Sequence, residues 1–98
     1  MEPHPDITPV HPGEVIREDI LPSVSASKTA IAASLGISRQ HLYAILRCEQ
    51  PVSAEMAVKL GKLFGNGGRI WLNMQRNHDL AMAEKTVDVS GIKTLDAA

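Results

Sequence analysis

Aromatic residues are scarce: one Trp, one Tyr and one Phe make up 3% of the 98 residues. A core built from this chain must be aliphatic and small, and its dependence on Ala and Leu favours helices over sheets. Cysteine is reduced to Cys48, which excludes an internal disulfide and fits a reducing, cytoplasmic setting. No apolar run approaches the ~20 residues a membrane span needs. Met1 to Val10 is acidic and Pro-rich and lacks the apolar segment of a secretory signal. His4, His11, His41 and His78 share no ligand spacing, so neither a metal nor another cofactor is expected. Gly65-Asn66-Gly67-Gly68 has no strand before it and no Lys after it, unlike a phosphate loop. Ser38, His41 and Asp79 are catalytic residue types that no spacing gathers, and neither an enzyme nor a small-molecule substrate is expected.

A large net charge is missing too: the formal value is −1. Its distribution is uneven. Residues 1–26 hold Glu2, Asp6, Glu14, Glu18 and Asp19 against Arg17, a balance of −4. Residues 27–76 hold seven basic groups against Glu49 and Glu55, a balance of +5, and residues 77–98 balance at −2. A basic middle between acidic ends suits a local phosphate-contacting face.

The length allows one domain. Residues 1–10, with three of the six prolines, read as a flexible extended arm. Residues 11–85 form the domain proper and 86–98 a tail. Pro12, Gly13 and Glu14 resemble a helix start, and Val15, Ile16, Ile20 and Leu21 give a stripe that Pro22 ends, placing helix 1 at about 13–21. Ser27 caps helix 2, which Gly36 closes, with Ile31, Ala32 and Leu35 inside. Ser38 caps helix 3, about 39–47. Ser53 caps helix 4, about 54–64, with Met56, Ala57, Leu60, Leu63 and Phe64 facing inward. Helix 5 spans about 69–85 after the glycine-rich break. In the tail, Val87 and Val89 alternate with polar residues, which leaves a short strand and disorder both open. The fold class is all-α, with five helices.

Lys28 to Arg47 carries the function. Ala32 is small enough for helix 3 to cross close over helix 2; Gly36 supplies the left-handed turn; Ile37 plugs the wedge between the helices. Leu42, Ile45 and Leu46 hold one face of helix 3 to the core and present the other. This is helix-turn-helix geometry, in which the second helix enters the DNA major groove. Arg39 can reach guanine O6 and N7, and Gln40 adenine N6 and N7. Ser38, at a helix N-terminus, and Lys28 suit phosphates. His41, Tyr43, Ala44 and Arg47 complete the expected DNA-binding face. A protein-binding module on the same fold is the rival reading. Trp71 fits a core position packing helix 5 on helices 1 and 4 and also fits an interface anchor. Because Leu72, Leu80 and Met82 fall on more than one face of helix 5, Trp71, Leu72, Leu80 and Met82 are assigned to a homodimer interface completed by the tail.

Three motifs in order carry a family resemblance. They are His11-Pro12-Gly13-Glu14-Val15-Ile16-Arg17-Glu18, Leu35-Gly36-Ile37-Ser38-Arg39-Gln40, and Ile70-Trp71-Leu72-Asn73-Met74-Gln75 followed by Asn77, Asp79 and Leu80. From His11 to about Leu80 the chain resembles the HigA (VapI-like) antitoxins of the phage-repressor-like helix-turn-helix class. The resemblance implies a dimer that binds a palindromic operator in double-stranded DNA, represses its own operon and neutralises a RelE-like toxin that cleaves mRNA. A stand-alone regulator without a toxin partner is the alternative within the same family.

Overall fold

Three serines start three of the helices. The computed structural model describes residues 8–96, so residues 1–7 of the expected arm and the last two of the expected tail lie outside it. Ser27, Ser38 and Ser53 each accept, at Oγ, the backbone N–H three residues on (Ala30, His41 and Met56) at 3.0–3.1 Å. Each bond satisfies one of the N–H groups that a helix start leaves without a partner. The helices they open are α2 (Lys28–Leu35), α3 (Arg39–Leu46) and α4 (Ala54–Phe64). A shorter α1 (Pro12–Val15) precedes them, and α5 (Gly68–Thr86) follows. No strand is present among the described residues.

Gly36 ends α2 with φ +71°, and the N–H groups of Gly36 and Ile37 reach back to the carbonyls of Ala33 and Ala32. That pair of bonds closes the helix and aims the chain straight into α3. The core is one aliphatic cluster: Ile16, Ile31, Ala32, Leu35, Leu42, Ile45, Leu46, Val52, Met56, Ala57, Leu60 and Trp71. It draws on α2 to α5 and on Ile16 just after α1, and α1 packs on both α3 and α5 while α4 lies along α5.

The first helix differs from its expected span. After Val15 the backbone widens into a π turn over Ile16–Ile20, where the Leu21 N–H bonds the Ile16 carbonyl, and then tightens into a 3-10 turn over Leu21–Ser23. Pro22 has no N–H and would crowd a regular helix behind it, but it fits the first turn of the tighter segment. Helical structure therefore passes through Pro22 and does not stop before it.

Leu63 is 37% exposed, although its spacing from Leu60 places it on the inner face. At this end of α4 the facing loop offers only Val24 and the small Ala26, leaving a hollow of about 130 Å³. In the tail the strand alternative is not realised: Val87 and Val89 are exposed, and the chain makes a single turn in which the Ile92 N–H donates to the Val89 carbonyl at 2.9 Å.

Candidate nucleic-acid interface

The outer face of α3 holds Arg39, Gln40, Tyr43 and Arg47 exposed, with His41 and Ala44 half-buried beside them. Gln40, Tyr43, Ala44 and Arg47 lie across the helix from Leu42, Ile45 and Leu46, which are buried in the core, with Arg39 and His41 at the edges of that face. Arg39 and Gln40 make no side-chain hydrogen bond or ion pair among the described residues, so their donors and acceptors are available to a ligand. Ser38 spends its hydroxyl on the cap of α3. The Lys28 ammonium stands 5.5 Å from the centre of the Tyr43 ring, joining the start of α2 to the exposed face of α3. Arg47 donates from Nε to Glu49 Oε2 at 3.1 Å and is thus partly neutralised in the free chain.

The structure divides the basic middle of the sequence in two. Lys28, Arg39 and Arg47 belong to the α2–α3 face, whereas Arg69 and Arg76 line a groove between α4 and α5 to which neither α2 nor α3 contributes. Lys59 pairs with Glu55 along α4 at 3.8 Å.

What makes the α3 face rigid lies behind it. The Arg17 guanidinium donates to the Leu46 carbonyl at 2.6 Å, occupying one of the free acceptors at the end of α3. Gly13 lets α1 abut the same end: a Cβ built there would lie 1.8 Å from the Ile45 carbonyl oxygen. Gln75, buried on α5, accepts the Val52 N–H at Oε1 at 2.7 Å and donates from Nε2 to Asp79 at 2.8 Å. The segment that leaves α3 is thereby fixed to α5. Spacing alone assigned no role to Arg17 or Gln75. The available signal was that Gln75 stands four residues after Trp71, a polar side chain on the buried face of a helix.

His11 is buried and caps α1, its Nδ1 accepting the Gly13 N–H at 2.9 Å. Its ring meets that of His78 edge-on at 5.3 Å. Burial pushes its pKa below the usual histidine value, and the neighbouring His78 pushes the same way, against Asp79, the Gln50 backbone and Glu14. His78 also bonds the Pro9 carbonyl at 2.8 Å and Lys85 bonds Thr8, so residues 8–10 of the expected arm lie along α5.

Trp71, assigned above to a dimer interface, is 1% exposed. Its Nε1 donates to Asn66 at 2.8 Å and its ring packs 5.7 Å from that of Phe64. The side chain is committed to the core of its own chain and leaves the interface set. Leu72 is half-buried against that core, while Leu80 and Met82 are exposed.

No helix of the described residues is long and apolar enough to cross a membrane, and they contain no cluster of three or more potential metal ligands. No protein-family model matches the chain. Virulence-associated protein I of Dichelobacter nodosus is 38% identical over 76 residues, covering 78% of this chain and 70% of that protein. Among solved structures, antitoxin GraA in complex with its operator superposes with a TM-score of 0.84 at 31% identity, covering 100% of this chain and 99% of that one. The Pseudomonas aeruginosa antitoxin HigA with the higBA promoter gives 0.79 at 30% identity, over 91% and 97%. The two solved relatives are antitoxins, and the chain belongs to the HigA (VapI-like) antitoxin family.

Proposed function

We propose that the chain is a cytoplasmic, homodimeric repressor that binds a palindromic operator of its own operon and neutralises a RelE-like, mRNA-cleaving toxin. The observation that carries the DNA half is the pair Arg39 and Gln40, unengaged at the start of a helix whose far end is held by Arg17 and abutted by α1 at Gly13. Arg39 and Gln40 read base edges; Lys28 and the start of α3 at Ser38 meet phosphates; His41, Tyr43, Ala44 and Arg47 flank them. Two relatives are antitoxins solved with operator or promoter DNA, which supports the same use of the face. In a dimer the two recognition helices lie one DNA turn apart, ~34 Å. The dimer forms through α5, at Leu72, Leu80 and Met82, together with the tail.

A salt titration of binding to the DNA upstream of the gene tests the DNA half. Affinity falls steeply and log-linearly with salt where several phosphates are neutralised. A flat response, or no shift of that DNA, favours a protein-binding module. Co-expression with the neighbouring gene product tests the toxin half. Rescue of growth and co-purification support it, and a neighbour that is neither toxic nor bound leaves a stand-alone regulator.

A further inference from the structure

Of the three aromatic residues, Phe64 and Trp71 pack ring against ring at the core, and only Tyr43 is exposed. It stands on α3 one helical turn after Arg39, across the helix from Leu42, Ile45 and Leu46. The group that meets its ring face is a charge. Lys28 Nζ lies over the ring, 5.5 Å from its centre. Because α2 packs on α3, the first residue of one helix reaches the outer face of the other.

The cations of this chain differ in what holds them. Arg17 lies against Glu14 and Glu18, Arg47 against Glu49, and Lys59 against Glu55. A carboxylate partner offsets the charge it holds and must be left before a phosphate is met. Lys28 is exposed and makes no ion pair among the described residues. The negative face of an aromatic ring attracts an ammonium without cancelling its charge. It also restrains a side chain whose four-carbon stem has large rotamer freedom, freedom that a phosphate contact otherwise removes at the moment of binding. A lysine held this way enters the complex fully charged and already ordered.

We propose that Tyr43 is a positioning residue: its ring face holds the Lys28 ammonium, charged and pre-oriented beside the α3 face, for one DNA phosphate. Tyr43 then contributes to affinity through Lys28 and not by reading a base. This rests on the DNA-binding reading and assigns Tyr43 a part in it.

A double-mutant cycle in fluorescence anisotropy tests it, on the duplex upstream of the gene and on an unrelated duplex of equal length. Lys28→Gln weakens both about fivefold and lowers the salt slope by about one, as the loss of one phosphate contact requires. Tyr43→Leu weakens both about threefold. Beside Lys28→Gln the same change costs less than about 1.5-fold, because the group it positions is gone. Tyr43→Phe keeps the ring face and binds within about 1.5-fold of wild type. In the free chain, the ε-methylene protons of Lys28 resonate upfield under the ring current, in wild type and Tyr43→Phe but not in Tyr43→Leu. Circular dichroism checks that each variant keeps its helices. A Tyr43→Phe loss equal to that of Tyr43→Leu makes the hydroxyl the contact and overturns the proposal. A Tyr43→Leu loss confined to the upstream duplex, or undiminished beside Lys28→Gln, gives the ring a DNA contact of its own and overturns it as well. Lys28 protons without an upfield shift remove the pre-orientation. A wild-type chain that binds neither duplex sinks the DNA reading too, whereas tight binding with Lys28 and Tyr43 uncoupled sinks this inference alone.

Discussion

The Gln75 carboxamide on α5 accepts the Val52 N–H at 2.7 Å, across 23 residues of sequence, and so ties the segment leaving the recognition helix to the last helix. Val52 is itself buried, which means that this N–H has no water to fall back on. We expect Gln75→Leu to cost about 1–3 kcal/mol, the penalty of a buried donor left unsatisfied. In a domain of this size each kcal/mol lowers Tm by roughly 4–8 °C. The decisive readout is hydrogen exchange at Val52, which accelerates beyond the change in global stability. Equal protection at Val52 in both proteins would show that the bond does not hold the segment.

Gly13 and Gly36 are both required, for different reasons, and the difference is measurable. At Gly36 the backbone is left-handed but the space is open, so Gly36→Ala costs only the conformational strain of roughly 1–2 kcal/mol. At Gly13 a methyl group would overlap the Ile45 carbonyl, and main chain must separate from main chain. We expect Gly13→Ala to cost more than Gly36→Ala in urea unfolding and to weaken operator binding as well, because α1 braces the end of α3. Equal costs at the two sites would mean that the α1–α3 contact yields freely.

His11 makes stability depend on pH. Its folded pKa lies below the ordinary histidine value of about 6.5, so the neutral ring is the form the fold selects. That contribution is complete above pH 6.5. It is lost as pH falls from there through the folded pKa, because the protonated Nδ1 can no longer accept the Gly13 N–H. We expect Tm to fall between pH 7 and pH 5 in the wild type and to fall less in His11→Asn, which retains a capping oxygen that does not titrate. His78, Asp79 and Glu14 remain in both proteins, so the difference between the two curves isolates His11. Parallel curves would remove His11 from the account.

The parts of this architecture legible in the sequence are those written in local chemistry. Ser27, Ser38 and Ser53 mark helix starts through bonds three residues long, and Gly36 marks a turn through its own φ. The exposed face of α3 followed from the spacing of Leu42, Ile45 and Leu46. The parts that were not legible depend on groups far apart in the chain. The Arg17 bond to Leu46 spans 29 residues, and nothing around Arg17 distinguishes it from a surface cation. Leu63 has the periodicity of a core residue and is exposed because the loop opposite it ends in small side chains. Trp71 was open between core and interface, since both uses ask for the same large apolar ring; only the packing of Phe64 and the bond to Asn66 decide it.

The recognition face yields the last test. Arg39 is unengaged at the first position of α3, while Arg47, two turns on, is paired with Glu49. A base-reading arginine contributes to the specific site and little to random DNA, whereas a phosphate contact contributes similarly to both. We therefore expect Arg39→Ala to cost about 1–3 kcal/mol on the operator and far less on unrelated duplex. Arg47→Ala should weaken both alike and modestly, because Arg47 must first leave Glu49 to reach a phosphate. Glu49→Gln frees Arg47 and should raise affinity for both DNAs while steepening the salt dependence. Fluorescence anisotropy on the two duplexes at several salt concentrations separates these outcomes. An equal loss on both duplexes for Arg39→Ala would make it a phosphate contact and shift base reading to Gln40.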